Sequence, residues 1–179
     1  GYAGRMPERP RNAYLILGLV RRGANTGYTM KAVVDQFARF FWAVSYGQLY
    51  PELKRLQSQK LLRSRQEKTG GRRRTAYTLT KAGERELETW LDSEDEMLFE
   101  VRIEAFMKLF ISESSDQQRA IIRRLRADTV RTRDTLAAIE PPRPIGRHLK
   151  AHGLEMYDSL IGWCDQVEAA IAEGRPPKR

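Results

Sequence analysis

Between residues 61 and 80 the hydrophobic pattern of the chain changes from helical to alternating, which strongly limits how it can fold. Residues 61–68 (LLRSRQEK) and 73–80 (RRTAYTLT) alternate around the turn TGGR, so a β-hairpin is predicted. Helices are predicted on both sides of the hairpin, at 13–20, about 26–37, 45–59 and 81–91. Three helices, a hairpin and a fourth helix are typical of a winged helix-turn-helix.

The third helix carries two residues that weaken helices, Gly47 and Pro51, within the stretch SYGQLYPELKRL. Ser45 and Gln48 form an S-x-x-Q capping box that predicts its start. Its apolar side is predicted to face the core through Leu49, Leu53 and Leu56, and its polar side exposes Gln48, Tyr50 and Lys54. Gln48 is predicted either to cap the helix or to touch a base, whereas Tyr50 and Lys54 suit phosphates. The alternative is a tolerated kink in a core helix.

The net charge of +9 over 179 residues favours a polyanionic partner, and the basic residues are concentrated around the hairpin. From Glu52 to Arg85 only Glu52, Glu67 and Glu84 oppose them. The basic residues of this stretch are Lys54, Arg55, Lys60, Arg63, Arg65, Lys68, Arg72, Arg73, Arg74, Lys81 and Arg85. An acidic segment, DSEDE at 92–96, follows, which indicates two modules with different tasks.

The second half is predicted to be helical at 96–111, 114–140 and 147–173, with PPRP at 141–144 between the last two helices. The first of these helices is apolar around most of its circumference, so it is expected to be buried on several sides at a subunit interface. The last helix carries a second apolar stripe. The predicted dimerisation residues are Leu98, Val101, Ala105, Phe106, Leu109, Phe110, Leu154, Tyr157, Ile161 and Cys164.

The predicted organisation is mainly α with one β-hairpin, in two domains. Residues 1–12 are expected to be a disordered arm or a cloning remnant, although Asn12 is also a candidate N-cap. Residues 13–92 form the winged helix, 93–173 a helical dimerisation and candidate effector domain, and 174–179 a tail. Trp90 and Trp163 are candidates to line an effector pocket; packing against a partner subunit is the favoured alternative.

Several classes of function find little support in the composition. No run of about 18 apolar residues predicts a membrane span, and the N-terminus lacks the apolar stretch of a signal peptide, so a cytoplasmic protein is expected. The single cysteine, Cys164, fits a reducing compartment and a core position better than a redox sensor. His148 and His152 have i, i+4 spacing without H-E-x-x-H, so surface positions are expected rather than a metal site. No cofactor and no catalytic set is predicted.

Three segments are distinctive in combination: GY at 27–28, SYGQLYPELKRLQSQKLL at 45–62 and GRRRTAYTLTKAGERELETW at 71–90. Through these segments, which cover about residues 13–92, the chain resembles the PadR family of transcriptional regulators. The remainder is similar in length and pattern to the long form of the family, with a virulence-activator-like helical domain. The resemblance implies a homodimer whose two winged helices meet successive major grooves of a pseudo-palindromic operator.

The resemblance also implies which residues face DNA. It places Gln48, Tyr50 and Lys54 at the duplex and lets Arg72 and Arg73 reach phosphate or the minor groove. Tyr28 is expected to support the second helix, with phosphate contact as the alternative. Thr29 stands where the family often has an acidic residue, so that residue's role is not transferred. The predicted DNA-binding set is Tyr28, Ser45, Gly47, Gln48, Tyr50, Lys54, Arg55, Lys68, Arg72, Arg73 and Arg74.

Two functions therefore compete. The first is a dimeric, sequence-specific regulator, a repressor of the PadR type that binds double-stranded DNA and responds to a small-molecule effector. The second is a helical interaction module whose basic block binds RNA or an acidic protein. The first predicts preference for one duplex; the second predicts sequence-indifferent binding or a preference for single strands.

Overall fold

The structure, a computed structural model, describes residues 10–69, 72–95, 97, 99 and 101–174. The chain divides into two compact units, Gly1–Glu96 and Met97–Arg179. The order of the helices and strands is α1 (Arg11–Arg21), α2 (Gly27–Gln36), α3 (Tyr46–Ser58), β1 (Leu62–Thr69), β2 (Arg72–Leu79), α4 (Lys81–Leu91), α5 (Glu104–Ile111), α6 (Ser115–Ala137) and α7 (Pro144–Ala172). A short 3-10 helix, Ala38–Phe40, lies between α2 and α3.

The core of the N-terminal unit forms where α1, α2, α3 and α4 turn their apolar sides inward. Ile16 and Leu17 of α1, Met30 of α2, Leu53 of α3 and Leu87 of α4 are all fully buried in one cluster. Because residues three or four apart lie on the same face of a helix, these buried residues determine which face of each helix is exposed to solvent. The predicted helices of this unit are present.

Helix α1 begins earlier than predicted, at Arg11, with Pro10 at the N-cap. The expectation that Asn12 caps the helix is therefore wrong, because Asn12 lies inside the first turn. Its Oδ1 instead accepts a hydrogen bond from the indole Nε1–H of Trp42 at 2.7 Å. Arg11 and Asn12 thus belong to the folded unit, and the rest of the predicted arm, up to residue 9, lies outside the described residues.

The hairpin is antiparallel, with Leu62 opposite Leu79 at its base and Thr69 opposite Arg72 at its tip. The segment before α2 adds a contact that the sequence did not predict. Thr26 forms a β-bridge with Ala76, and the Tyr77 N–H donates to the Asn25 carbonyl at 2.7 Å. The base of the hairpin is therefore tied to the start of α2 as well as to its own partner strand.

Thr80 joins the hairpin to α4. Its hydroxyl accepts from the Gly83 N–H at 3.0 Å and donates to the Lys60 carbonyl at 2.7 Å. A side chain at Gly83 would begin 2.2 Å from the Leu61 carbonyl oxygen, so only glycine fits here without a shift of the backbone. With three helices, a two-stranded hairpin and a following helix, the N-terminal unit is a winged helix.

The C-terminal unit is helical, with α6 and α7 as its longest elements. Buried side chains from both helices include Ile122, Leu136 and Cys164. Ion pairs flank them, Arg126 Nε to Asp165 Oδ1 at 2.6 Å and Arg133 Nε to Asp158 Oδ1 at 2.9 Å, and the ammonium of Lys150 donates to two carbonyls at the end of α6.

Two predicted boundaries in this unit are wrong. The helix expected at 96–111 begins at Glu104, and the described residues 97, 99 and 101–103 are not helical. Helix α7 begins at Pro144 rather than 147, because a proline suits the first position of a helix, where no intrahelical N–H bond is required. Within the part of the chain that the structure describes, no helix combines the length and apolar character needed to cross a bilayer.

Candidate nucleic-acid interface

Helix α3 separates its residues into a buried side and an exposed side, as predicted. Leu49, Leu53 and Leu56 are buried, while Gln48 and Lys54 are exposed. The helix runs unbroken past Pro51, although a proline lacks the N–H that would bond the carbonyl four residues back. The burial of the leucines holds the helix in place, and its polar residues face solvent.

The start of α3 is fixed by the predicted capping box. The Ser45 N–H donates to Gln48 Oε1 at 3.0 Å, and the Gln48 N–H donates to Ser45 Oγ at 3.3 Å. Gln48 is thus a capping residue, one of its two predicted roles. Because Oε1 is engaged in the cap, only the Nε2 group of Gln48 is left to donate to a base, and the two-point contact that a free glutamine makes with adenine needs the cap to open.

Aromatic residues connect the start of α3 to α2. The Tyr50 ring lies against Gly27, where a β-carbon would come within 2.7 Å of the Tyr50 hydroxyl. The Tyr46 and Tyr50 rings stack with centroids 6.0 Å apart, and the ammonium of Lys31 lies 5.3 Å from the Tyr46 ring centroid. Tyr28 is 76% exposed, so its side chain packs little against α2; its support of α2 and the alternative, a phosphate contact, both stay predictions.

Thr29, which departs from the acidic residue frequent in the family, has a clear structural role. Its Oγ1 accepts from the Thr26 N–H at 3.0 Å, and the Thr26 Oγ1 accepts from the Thr29 N–H at 3.1 Å. This is a capping box in which a threonine takes the place that a glutamate usually fills. The start of α2 therefore needs no carboxylate at this position.

Arg55, predicted to contact DNA, is engaged within its own helix. Its Nε donates to both carboxylate oxygens of the buried Glu52, at 3.1 and 3.0 Å. The hydrogen bond to Glu52 raises the pKa of Arg55 above its ordinary value. An arginine that neutralises a buried carboxylate is costly to remove, so Arg55 has a structural role within α3, and its DNA contact stays a prediction.

The two faces of the hairpin differ in how their charges are balanced. On one face Glu67 accepts from Arg65 Nε at 2.9 Å and from Arg74 Nε at 3.0 Å, and these bonds hold the pKa of Glu67 below its ordinary value. Lys68 and Arg73 lie opposite each other in the register and, because strand side chains alternate, belong to the other face. Both are exposed. Arg72 lies in β2, but its side chain is outside the described residues.

The C-terminal unit contains an open apolar groove between α5 and α7, of about 920 Å³. Phe106 and Trp163 meet edge to face in it, with ring centroids 5.1 Å apart. None of the residues of α5, all of which are described, is buried within the chain, and Phe110 is 90% exposed. The groove residues are Ile103, Phe106, Leu109, Phe110, His152, Glu155, Met156, Ser159, Leu160 and Trp163.

The predicted dimerisation residues fall into three groups. Cys164 is fully buried inside its own unit, so its assignment to a subunit interface is wrong; it is a core residue, and burial raises the pKa of its thiol. Leu98 lies outside the described residues. The others are exposed or half-buried: Val101, Ala105, Phe106, Leu109, Phe110, Leu154, Tyr157 and Ile161.

The two candidate effector tryptophans border different cavities in different units. Trp90 stacks on Tyr14 at 4.5 Å beside a cavity of about 310 Å³ in the N-terminal unit, whereas Trp163 lies in the groove of the C-terminal unit. Among the described residues no group of three histidine, cysteine or acidic side chains is placed to hold a metal ion.

The sequence prediction missed Tyr46, Lys31 and Gly27 as parts of this surface. The i, i+4 spacing of Tyr46 and Tyr50 was the available signal for the ring pair. The contacts of Gly27 and Lys31 join two helices and have no signature in a single sequence.

These features define a winged helix with an exposed polar helix and a basic hairpin, followed by a helical unit with an uncovered apolar groove. Residues 16–89 match the transcriptional regulator PadR-like family. The negative transcriptional regulator PadR of Bacillus subtilis is 32% identical over 108 residues, which are 60% of this chain and 59% of that protein, less than two thirds of its length.

Solved structures extend the similarity to most of the chain. Bacillus subtilis PadR in complex with operator DNA is similar with a TM-score of 0.79 at 25% identity, covering 92% of this chain and 99% of that one. The Vibrio cholerae virulence activator AphA shares the fold with a TM-score of 0.69 at 21% identity, over 90% and 98% of the two chains. Residues 16–89 are therefore similar to the PadR-like family of transcriptional regulators, and the chain as a whole shares the fold of Bacillus subtilis PadR.

Proposed function

We propose that the protein is a dimeric regulator that binds a pseudo-palindromic DNA operator through α3 and the β1–β2 hairpin. The observation that carries the proposal is the exposed side of α3, with Gln48 and Lys54 outward and the leucines buried. A helix presented in this way fits the major groove of B-DNA. The Bacillus subtilis relative that was solved with operator DNA shares this fold at 25% identity.

Within this proposal each side chain has a defined task. The Gln48 Nε2 group offers hydrogens to a base edge, whereas Lys54 and the Tyr50 hydroxyl approach phosphates. Lys68 and Arg73 extend from the hairpin face whose charges Glu67 does not balance, and they contact phosphates or the minor groove. Ser45 and Gly47 act through the backbone at the start of α3, where Ser45 is the cap and Gly47 keeps side-chain bulk away.

The apolar groove supports the dimer in this proposal. A chain that leaves Phe106, Met107, Phe110 and Ile111 exposed on one short helix presents an apolar patch of the kind that marks interaction sites. We propose that a second copy covers it, so that two winged helices meet two half-sites related by a two-fold axis. Regulation by repression is proposed because the curated relative is a negative regulator.

An effector is part of the proposal. Bacillus subtilis PadR has also been solved with p-coumaric acid, a small aromatic acid, in a structure 25% identical to this chain with a TM-score of 0.68. In this protein the part of the groove where Phe106 meets Trp163 suits a flat apolar ring, so we propose that the effector binds there, beside the surface that the second copy covers through Phe110 and Ile111. Because its proposed ligands are chromosomal DNA and a small-molecule effector, the proposed regulator acts in the cytoplasm.

Selection of duplexes from a random-sequence pool tests the proposal. We expect enrichment of one pseudo-palindromic sequence by the wild-type protein. Sequence-indifferent binding, or a preference for single-stranded RNA, would instead support the helical interaction module and overturn the DNA regulator.

Variants then locate the interface. The triple variant Gln48→Ala, Tyr50→Ala, Lys54→Ala is expected to lose specific binding yet remain folded, with a free energy of unfolding lower by about 1–2 kcal/mol because Gln48 is part of the α3 cap and Tyr50 packs against Gly27. The control is Arg131→Ala with Gln166→Ala, two exposed positions on α6 and α7. Equal affinity in the triple variant and the control would refute α3 as the recognition helix.

A further inference from the structure

Tyr46 is the first residue of α3 and therefore lies at its N-terminal end. It is 48% exposed although it is a large aromatic residue. In helix-turn-helix proteins the N-terminal residues of the recognition helix contact base edges. Tyr46 therefore occupies a position for reading sequence that Gln48, held in the cap, fills only in part.

The Tyr46 ring is held in place by two neighbours. It stacks on Tyr50 with an interplanar angle of 14°, and the Lys31 ammonium lies 5.3 Å from its centroid. The Lys31 side chain is only 14% exposed and pairs with Asp35 one turn further along α2. Because Tyr50 in turn lies against Gly27, both neighbours are anchored on α2. An aromatic ring held in this way loses little conformational freedom when it meets a ligand.

The chemistry of the exposed ring selects its target. A tyrosine ring is an apolar surface, and the only apolar group on the base edges of the major groove is the 5-methyl group of thymine. We propose that Tyr46 is a specificity-determining residue whose ring packs on a thymine methyl group in each half-site, and that Tyr50 and Lys31 are its positioning residues. This inference rests on the proposed function and names part of the sequence that the site recognises.

The test uses the enriched duplex resynthesised with deoxyuridine in place of one thymidine at a time, which removes only the methyl group. We expect one position in each half-site at which this change weakens wild-type binding about three- to fourfold, as the loss of one buried methyl group predicts. In Tyr46→Ala the same change is expected to cost nothing. The inference would be overturned if deoxyuridine lowered the affinity of the wild type and of Tyr46→Ala equally at every position. It would also be overturned if deoxyuridine lowered the affinity of the wild type at no position.

Two further variants separate the ring from other contributions. Tyr46→Phe removes only the hydroxyl and is expected to keep the methyl sensitivity; its loss would show that the hydroxyl, not the ring, makes the contact. Phe41→Ala removes an exposed aromatic side chain of the same unit that lies outside the predicted DNA-binding set, and it is expected to leave the cost of deoxyuridine unchanged. If that cost disappeared in Phe41→Ala as well as in Tyr46→Ala, the Tyr46 ring would not be what reads the methyl group, and the inference would be overturned.

The inference and the function on which it rests fail in different ways. If no duplex is enriched from the random pool, the DNA-binding function itself is refuted and the inference falls with it. If one duplex is enriched but Tyr46→Ala retains the full methyl sensitivity, the regulator stands and the role of Tyr46 is refuted.

Discussion

Gly83 is a position where the fold has no room for a side chain. A β-carbon there would lie 2.2 Å from the backbone oxygen of Leu61, which cannot move without disturbing the base of the hairpin. We expect Gly83→Ala to lower the free energy of unfolding by about 1–3 kcal/mol, the usual cost of overpacking. Urea denaturation measures the change.

Gly18 is the matched control for this substitution. It lies in α1 with nothing within 4 Å of the place where its β-carbon would be. Gly18→Ala is expected to raise the free energy of unfolding by about 0.5–1 kcal/mol, because alanine is the better helix former. If both variants changed stability equally, the Leu61 contact would not be the reason that residue 83 is glycine.

The Cys164 thiol makes the stability of the fold depend on pH in the alkaline range. Burial, and then the charge of Asp165, raise the pKa of its thiol, while the unfolded thiol ionises at its ordinary value. Stability that comes from keeping this thiol neutral is thus complete below the ordinary value and is lost as the pH rises through the raised one. We expect a thiol reagent at pH 8 to label the native protein far more slowly than the protein in urea. Rapid labelling of the native form would contradict the buried position.

At single residues the sequence predicted roles well where they depend on near neighbours. The Ser45–Gln48 capping box needed only the spacing of two side chains. The errors concern residues whose partners lie elsewhere in the chain: Asn12 binds Trp42 across 30 positions, and Cys164 is buried in its own unit instead of meeting a partner. Arg55 has a partner only three residues away, Glu52, but the pair was not predicted because Arg55 was grouped with the basic residues around the hairpin.

Among the elements, α3 has two sides that should respond differently to substitution. Leu53 is fully buried, so Leu53→Ala is expected to lower the free energy of unfolding by about 2–5 kcal/mol. Lys54→Ala, one position along, is expected to change it by less than about 0.5 kcal/mol but to weaken binding to all duplexes alike. Thermal melts and titrations against specific and scrambled duplexes measure both effects. A stable Leu53→Ala variant would mean that the core does not fix the orientation of α3.

The hairpin offers a comparison between its two faces. Lys68→Ala with Arg73→Ala is expected to reduce the slope of log affinity against log salt by about one unit per lost phosphate contact. Arg65→Ala with Arg74→Ala removes the same charge from the face that Glu67 balances and is expected to change the slope less. Equal changes for both pairs would show that charge alone, and not the face, determines contact.

The elements themselves were largely predictable, because hydrophobic period and capping residues are local. The hairpin, the capped helices and the long helices α6 and α7 all appear near their predicted positions. The start of α5 was not predictable from its apolar pattern: Val101 and Ile103 are β-branched residues that favour extended backbone, and an apolar run fits either state. The bridge from Thr26 to Ala76 spans 50 positions and leaves no local signal.

For the whole molecule, the proposed dimer depends on the groove of the C-terminal unit. Phe110→Glu places a charge on the apolar side of α5 and is expected to convert the dimer to monomers, as measured by light scattering at micromolar concentration. Phe41→Glu is the control, since Phe41 is 56% exposed in the other unit and is expected to leave the dimer intact. A wild-type protein that is a stable, folded monomer under these conditions would refute the proposed dimer.

The hydrogen bond from the Tyr77 N–H to the Asn25 carbonyl has a consequence for chimeras made between this chain and proteins that share its fold. A hairpin transplanted at residues 62–79 alone would pair with the recipient's own residues 25–26 instead of the segment with which it forms the Thr26–Ala76 bridge and the Tyr77–Asn25 bond in its parent chain. The natural unit of exchange is therefore discontinuous. Residues 25–26 and 62–79 should be moved together, so that the graft arrives with the segment that holds its base.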